Sequence, residues 1–411
     1  MRASCLAIAA TLLLAGCGQM SSVPVFRSID PASRIAASAG GVMFYVDGVN
    51  GNNNNDCRSP QRACKTIQRA VNISGRGDTI NVSAAVYPEN VSIHHSVHIN
   101  GAGSGMTIVD GQKRGSGITV AFNQNADVTI ENLTVRNGVG NPDGGGIYHC
   151  FGTMTINEVV LEGNSVPSSR ADGYGGAMYN CPSSVMTIVN STIRNNVANV
   201  GGGICNGGLL TIFYTTFSGN TTRNDKGGGA IFNYGVLHVA DSTFSGNSAP
   251  GGVGGAIDDG SAFGGSGGAQ IDNNTISGNS AGGKNSAGGG IYNNVGLPVY
   301  VQNTIIANNS PQNCAGARLE TEGFNLSSDK SCDLDGAGDQ NGADPMLGPL
   351  RYNGGPTLTM ALHAGSPAID AGNRSGCRDW LGRLIATDQR GMPRPDQQEP
   401  RGCDIGAYES Q

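Results

Sequence analysis

The sequence is poor in the residues from which an ordinary globular core is built. Only 5% of its 411 residues are aromatic and 14% charged, and it has a single Trp. So little bulky side-chain volume cannot fill a wide core, and suits a long structure of thin, repeated cross-section. Lys and Arg number 25 against 31 Asp and Glu, and no basic block occurs, which argues against nucleic acid as a partner. No Gly-Lys-(Ser/Thr) follows the glycine-rich stretches, so they are not phosphate loops. Beyond the first residues no apolar run is long enough to span a bilayer, and the remainder is expected to be soluble.

What the chain has is glycine, 66 residues of it, without the every-third-residue period of collagen and with apolar residues between. Residues 145–309 hold a repeat. Gly pairs begin at Gly145, Gly175, Gly202, Gly228, Gly254 and Gly289, at spacings of 30, 27, 26, 26 and 35 residues. Between them an apolar run ends each time in an amide: Asn164, Asn196, Asn220, Asn247, Asn279 and Asn309. Short alternating runs such as Val97-His98-Ile99 and Val128-Thr129-Ile130, each ended by Gly, Asn or Asp, read as strands. No helix-period segment lies between them, which excludes βα repeats. The pattern predicts an all-β, right-handed parallel β-helix.

In such a coil each residue sits on its counterpart in the next. The six amides can therefore form a self-satisfying ladder. Ile147, Ala177, Ile204, Ala230, Ala256 and Ile291 are expected as an inner apolar column. His149, Asn180, Asn206, Asn233, Asp259 and Asn294 are expected as a second polar column. Residues 66–74 place Ile67, Ala70 and Val71 at helical spacing and predict a short helix capping the first coil.

The first 16 residues carry Arg2, an apolar stretch and small residues before Cys17, as an export signal does. In an oxidising compartment the later cysteines favour disulfides over metal. Neighbours suggest Cys57 with Cys64, Cys314 with Cys332 and Cys377 with Cys403, although spacing alone does not fix connectivity. Cys150 and Cys181 follow equivalent positions of consecutive repeats, where stacking about 4.8 Å apart allows a bridge. Cys205 remains as a buried thiol.

Candidate chemistry is sparse. Asp47, Asn50, Asn52 and Asp56 could wrap calcium, but fit an Asx-rich turn better. Asp258, Asp259 and Asp272 are the acids to consider for catalysis, although no basic neighbour is implied and Asp259 falls in a column of Asn. His94, His95 and His98 alternate in direction along a strand, which spoils a metal cluster.

Three resemblances follow from particular residues. Gly228-Gly229-Ala230-Ile231, Gly254-Gly255-Ala256-Ile257, Phe217 to Asn220 and Phe244 to Asn247 resemble the repeats of chlamydial polymorphic outer-membrane proteins. Tyr45-Val46-Asp47, Cys64 to Val71 and Tyr87-Pro88-Glu89-Asn90-Val91 resemble the first coils of the pectate-lyase-like β-helix superfamily. Gly365 to Gly372 and Cys403 to Glu409 resemble the choice-of-anchor Q domain of bacterial surface proteins. Leu14-Ala15-Gly16-Cys17 is similar to a bacterial lipobox, which implies lipidation of Cys17, and Gly18 implies the outer membrane of a Gram-negative cell.

The expected organisation is a signal peptide over 1–16, a tether over 17–42, the β-helix over 43–343 and a C-terminal region over 344–411 that caps the far end. The expected protein is a monomeric, lipid-anchored surface protein for adhesion or glycan binding. It needs no certain cofactor, with calcium the one considered. The alternative is a polysaccharide lyase acting with calcium on an acidic polymer.

Overall fold

Along one edge of the coil, seven successive strands are each followed by a residue that turns the backbone sharply, most often Asn or Asp. Asn132, Glu158, Asn190, Tyr214, Asp241, Asn273 and Asn303 all have φ between 47° and 59°. Asn and Asp tolerate this left-handed region better than other residues. The computed structural model describes residues 41–411 except 122–125, 142, 170–171, 261–267, 283–286, 295–296 and 396–401. The expected signal segment, Cys17 and nearly all of the tether lie outside the described residues.

The strands stack into a right-handed parallel β-helix. Among the described residues, sheet I has eleven strands, from Met43–Val46 to Glu320–Gly323. Sheet II has nine, from Val91–Ile93 to Cys314–Gly316, and sheet III eleven, from Ala85–Tyr87 to Gln340–Asn341. Four two-residue strands, Val197–Ala198 to Ser280–Ala281, make sheet IV. One coil runs through sheets II, I, III and IV, as in Ile204–Asn206, Leu209–Phe213, Thr216–Ser218 and Thr221–Thr222.

Thr66 caps the helix α1 (Ile67–Ile73), and the Glu89 carboxylate accepts the amides of Ile67 and Gln68, both at 2.9 Å. This satisfies donors that a helix start leaves open. The helix buries Ile67, Ala70 and Val71 against the first coil.

The amide ladder is continuous. Each side-chain oxygen accepts two donors from the preceding coil: the amide and backbone nitrogens of Asn164 meet Asn196 at 3.1 and 3.0 Å. The same pattern recurs through Asn220, Asn247, Asn279 and Asn309 to Asn313. The second amide hydrogen goes to a backbone carbonyl, as from Asn220 to Ile193 at 2.8 Å. The buried ladder therefore has its main donors and acceptors matched without water. Inside it, Phe217 and Phe244 stack at 4.6 Å and 3°.

Two columns differ in register from the sequence expectation. The inner apolar column is Ile147, Met178, Ile204, Ile231, Ile257 and Ile291, not one containing Ala177, Ala230 and Ala256. The repeated unit is three small residues led by a glycine of positive φ, as at Gly201, Gly228 and Gly254. The third place of this unit holds Gly in some coils and Ala in others, so the visible Gly pair falls one place later in Gly-Gly-Gly than in Gly-Gly-Ala. The second polar column ends in Asn293 and not Asn294.

The described disulfides join Cys57 to Cys64, Cys150 to Cys181, Cys314 to Cys332 and Cys377 to Cys403. The Cα atoms of Cys150 and Cys181 stand 4.8 Å apart, one coil step, and Cys205 is a buried free thiol.

The C-terminal segment, expected as a cap on the far end, runs along the corner between sheets I and III over several coils. Gln389 bonds Thr243 at 2.6 Å and Thr216 at 3.0 Å, and Thr357 donates to the Tyr214 carbonyl at 3.1 Å. Arg394 is buried between Asp241 at 2.5 Å and Glu409 at 2.8 Å. Trp380 stacks on Phe213 and His238 at 5.4 and 4.5 Å. The physical reason is that Phe213, Ala240 and the Thr column face outward there and need cover.

Candidate functional site

Neighbouring residues of a strand face opposite ways, so the column outside sheet II is offset by one from the polar column inside it. Outward stand Tyr148, Tyr179, Cys205, Phe232, Asp258 and Tyr292 in register. Tyr174, from the turn leading into this sheet, stacks on Tyr179 at 5.7 Å. The hydroxyls of Tyr179 and Tyr234 share a 2.8 Å hydrogen bond, and Val200 and Phe232 help bury Cys205. Burial pushes the phenols of Tyr174 and Tyr234 up to about 12 and raises that of Tyr179, so all three stay neutral.

Where this aromatic face meets the turns that enter sheet II, a cleft of about 170 Å³ opens. It is lined by Asp172, Tyr174, Val200, Asp225, Lys226, Gly227, Phe232, Val253, Asp258 and Asn294. Asp258 is 3% exposed, and its Oδ1 has no hydrogen-bond partner. Burial, then the charge of Asp259, pushes the Asp258 carboxyl well above the usual carboxylate range, which favours its protonated form. Gly227 lies against it: a Cβ there would stand 1.8 Å from Asp258 Oδ2. At the rim Lys226 Nζ faces Asp172 Oδ1 at 4.0 Å, both about half exposed, a pair that contributes little to stability. A buried carboxyl flanked by rings suits a ligand with hydroxyl or amine groups on an apolar frame.

The three sequence candidates separate. Asp258 lines the cleft, whereas Asp259 faces inward in the amide column and accepts from Asn233 at 2.6 Å. Burial pushes the Asp259 carboxyl up to about 6. Asp272 ends a strand of sheet I and accepts from Gln270 at 3.2 Å. Burial raises its carboxyl well above the ordinary value, with Glu322, Asp379 and Asp241 adding to the rise. The three therefore do not form one catalytic groove. Lys226, the basic neighbour that the spacing did not imply, comes from the adjoining coil. Asp172, Tyr174, Asp225 and Phe232 were also missed; outward aromatics beside variable turns were the available signal.

In the N-terminal loop, Asp47 Oδ1 accepts the amides of Val49 and Asn50 at 2.8 and 2.9 Å, and the Asn50 backbone bond leads in lowering its carboxyl. Asn52 accepts from Asn54 at 2.9 Å and Asp56 pairs with Arg62 at 3.2 Å. These oxygens serve the turn. His98 bonds Glu131 and His95 bonds Ser74, so the histidines have separate partners. Among the described residues no group of three or more His, Cys, Asp or Glu is placed to hold a metal ion, and no helix is long and apolar enough to cross a membrane.

Compared with known proteins, residues 214–234 and 241–259 match the Chlamydia polymorphic membrane protein repeat. These two segments hold Phe217 to Asn220, Gly228 to Ile231, Phe244 to Asn247 and Gly254 to Ile257. No curated protein matches the chain. Among solved structures, XylC in complex with xylose is similar with 10% identity and a TM-score of 0.44, over 90% of this chain and 98% of that one. The GH136 lacto-N-biosidase from Eubacterium ramulus is similar with 11% identity and a TM-score of 0.25, over 68% and 67%. The PL6 family alginate lyase AlyGC is similar with 14% identity and a TM-score of 0.26, over 83% and 57%.

Proposed function

We propose that the chain is a surface protein of the bacterial envelope, anchored through lipid on Cys17, that binds carbohydrate in the sheet II cleft without cleaving it. The observation that carries this reading is the cleft itself, where the rings of Tyr174 and Phe232 stand beside an unpaired carboxyl oxygen of Asp258. Apolar lining with a few convergent polar groups is how small-ligand sites are generally built. The matched repeats, of a membrane-protein kind, support the surface setting. The rest of the repeat is accounted for by stacking. Titration of neutral, amine-bearing and acidic oligosaccharides into the intact chain tests the reading: saturable binding of at least one class is expected, and none of any class overturns it. A chelator should leave binding unchanged, since the oxygens of the Asp47 loop are engaged by their own turn.

One observation favours a second reading, cleavage. Burial favours the protonated form of Asp258, and the rim carboxylates of Asp172 and Asp225 line the same cleft, so an acid and a base of the kind that glycoside hydrolysis pairs stand on one wall. Release of new reducing ends from a bound oligosaccharide, lost in Asp258→Asn, would establish it. A lyase acting on a uronate is served less well, because these carboxylates repel the substrate and Lys226 faces Asp172.

A further inference from the structure

Asp258 is a buried acid with an empty hydrogen-bonding position and no cation to meet it. Its Oδ1 is unpartnered, its strand neighbours in register are Phe232 and Tyr292, and the Lys226 ammonium is directed to Asp172. Asp258 packs directly on the backbone of Gly227 and the Phe232 ring on that of Gly260, which leaves no room for a side chain at either place: a Cβ on the first would meet Asp258 Oδ2 at 1.8 Å, and one on the second the Phe232 ring at 2.8 Å. The other charges on the cleft wall are the exposed carboxylates of Asp172 and Asp225. A ligand cation seated here would have a buried carboxyl, aromatic faces and two rim carboxylates around it, the surroundings that recognise an ammonium group.

We propose that the cleft selects glycans that carry free, protonated amines, such as oligomers of glucosamine, over their N-acetylated and acidic counterparts. This rests on the carbohydrate-binding reading above and adds the substrate class. The ammonium supplies the partner that Asp258 lacks; the rings hold the sugar's apolar face; a uronate meets the two rim carboxylates against the single ammonium of Lys226, which already faces Asp172. When the ammonium binds, Asp258 gives up its proton to solvent, so one proton is released for each ion pair formed. The charged groups near Asp258 in this exchange are Asp259, which points inward from the same strand, and, from the entering turns, Asp172, Asp225 and Lys226.

The test is calorimetric titration of the intact chain with a glucosamine tetramer, an N-acetylglucosamine tetramer, a galacturonate tetramer and putrescine, in buffers of different ionisation enthalpy. The glucosamine tetramer is expected to bind at least about tenfold more tightly than the N-acetylated one, with net proton release, and galacturonate and putrescine more weakly than either. Asp258→Asn should abolish the proton release and cut the preference severalfold. Should that variant fold poorly, the exposed double change Asp172→Asn with Asp225→Asn should still cut the preference severalfold. Equal binding of the two hexosamine tetramers by the unaltered chain overturns the amine preference and leaves carbohydrate binding standing. Tighter binding of galacturonate does the same. Putrescine binding as tightly as the glucosamine tetramer overturns the glycan assignment of the amine. Failure of every sugar overturns the carbohydrate reading itself.

Discussion

Replacing Asp259 by Asn should stabilise the protein, and by an amount that depends on pH. In the column His149, Asn180, Asn206, Asn233, Asp259 and Asn293, the amides donate in turn at 2.8, 2.7 and 2.6 Å until they reach Asp259. There the chain of donors stops, and Asn293 Oδ1 is left buried without a partner. Burial raises the Asp259 carboxyl from 3.8 to about 6, so between these values the folded chain holds a proton that the unfolded chain has lost. Its stabilising contribution is complete below about pH 4 and disappears as pH rises through about 6. At about 1.4 kcal/mol for each pH unit, ionising Asp259 in the fold costs about 3 kcal/mol at neutral pH. An Asn at this position removes that cost and can donate to Asn293 Oδ1, a bond worth about 1 kcal/mol. Asp259→Asn should therefore gain about 3–4 kcal/mol at pH 7.5 and about 1 kcal/mol at pH 4, read from denaturant unfolding at both pH values. No gain at pH 7.5, or an equal gain at both, would refute the reasoning.

Asn220→Ala removes the acceptor of the Asn196 backbone and side-chain amides and the donor to Ile193 and Asn247. A buried unpaired N–H costs about 1–3 kcal/mol, and with the lost packing the thermal midpoint should fall by roughly 5 °C in calorimetry. Arg394→Ala leaves Asp241 and Glu409 buried without their cation, a loss of about 3–5 kcal/mol. Since the sole Trp, Trp380, is packed between Phe213 and His238, its emission should shift to the red and the C-terminal segment should become open to protease while the β-helix circular dichroism persists. Cys17→Ala should shift the protein from the membrane to the soluble fraction of cells, seen by immunoblot.

The solenoid and its amide ladder were legible because one residue type recurs at one place in every coil. A second ladder, through Ser191, Thr215, Ser242, Asn274 and Thr304, does the same work at the next corner, with bonds of 2.9 to 3.4 Å. It was not legible because Ser, Thr and Asn share it, and small polar residues are common in turns. Register slipped wherever adjacent positions carry similar residues, as with Asn293 beside Asn294 or Gly beside Ala. The course of the C-terminal segment has no periodic signal, because its contacts, such as Gln389 with Thr216, join residues 173 positions apart. The cleft was hidden for a related reason: Asp172, Tyr174, Asp225 and Lys226 come from the turns that vary between coils, and only stacking brings them to Asp258.

The central claim is that ligands meet this chain at the Asp258 cleft and not along its stacked columns. The most direct measurement compares the intact chain with Tyr174→Ala on one array of neutral, amine-bearing and acidic oligosaccharides, with the melting temperature of both recorded. The account predicts that the unaltered chain binds a defined subset, led by the amine-bearing sugars, and that Tyr174→Ala loses that binding while remaining folded. Undiminished binding by the folded variant would contradict it.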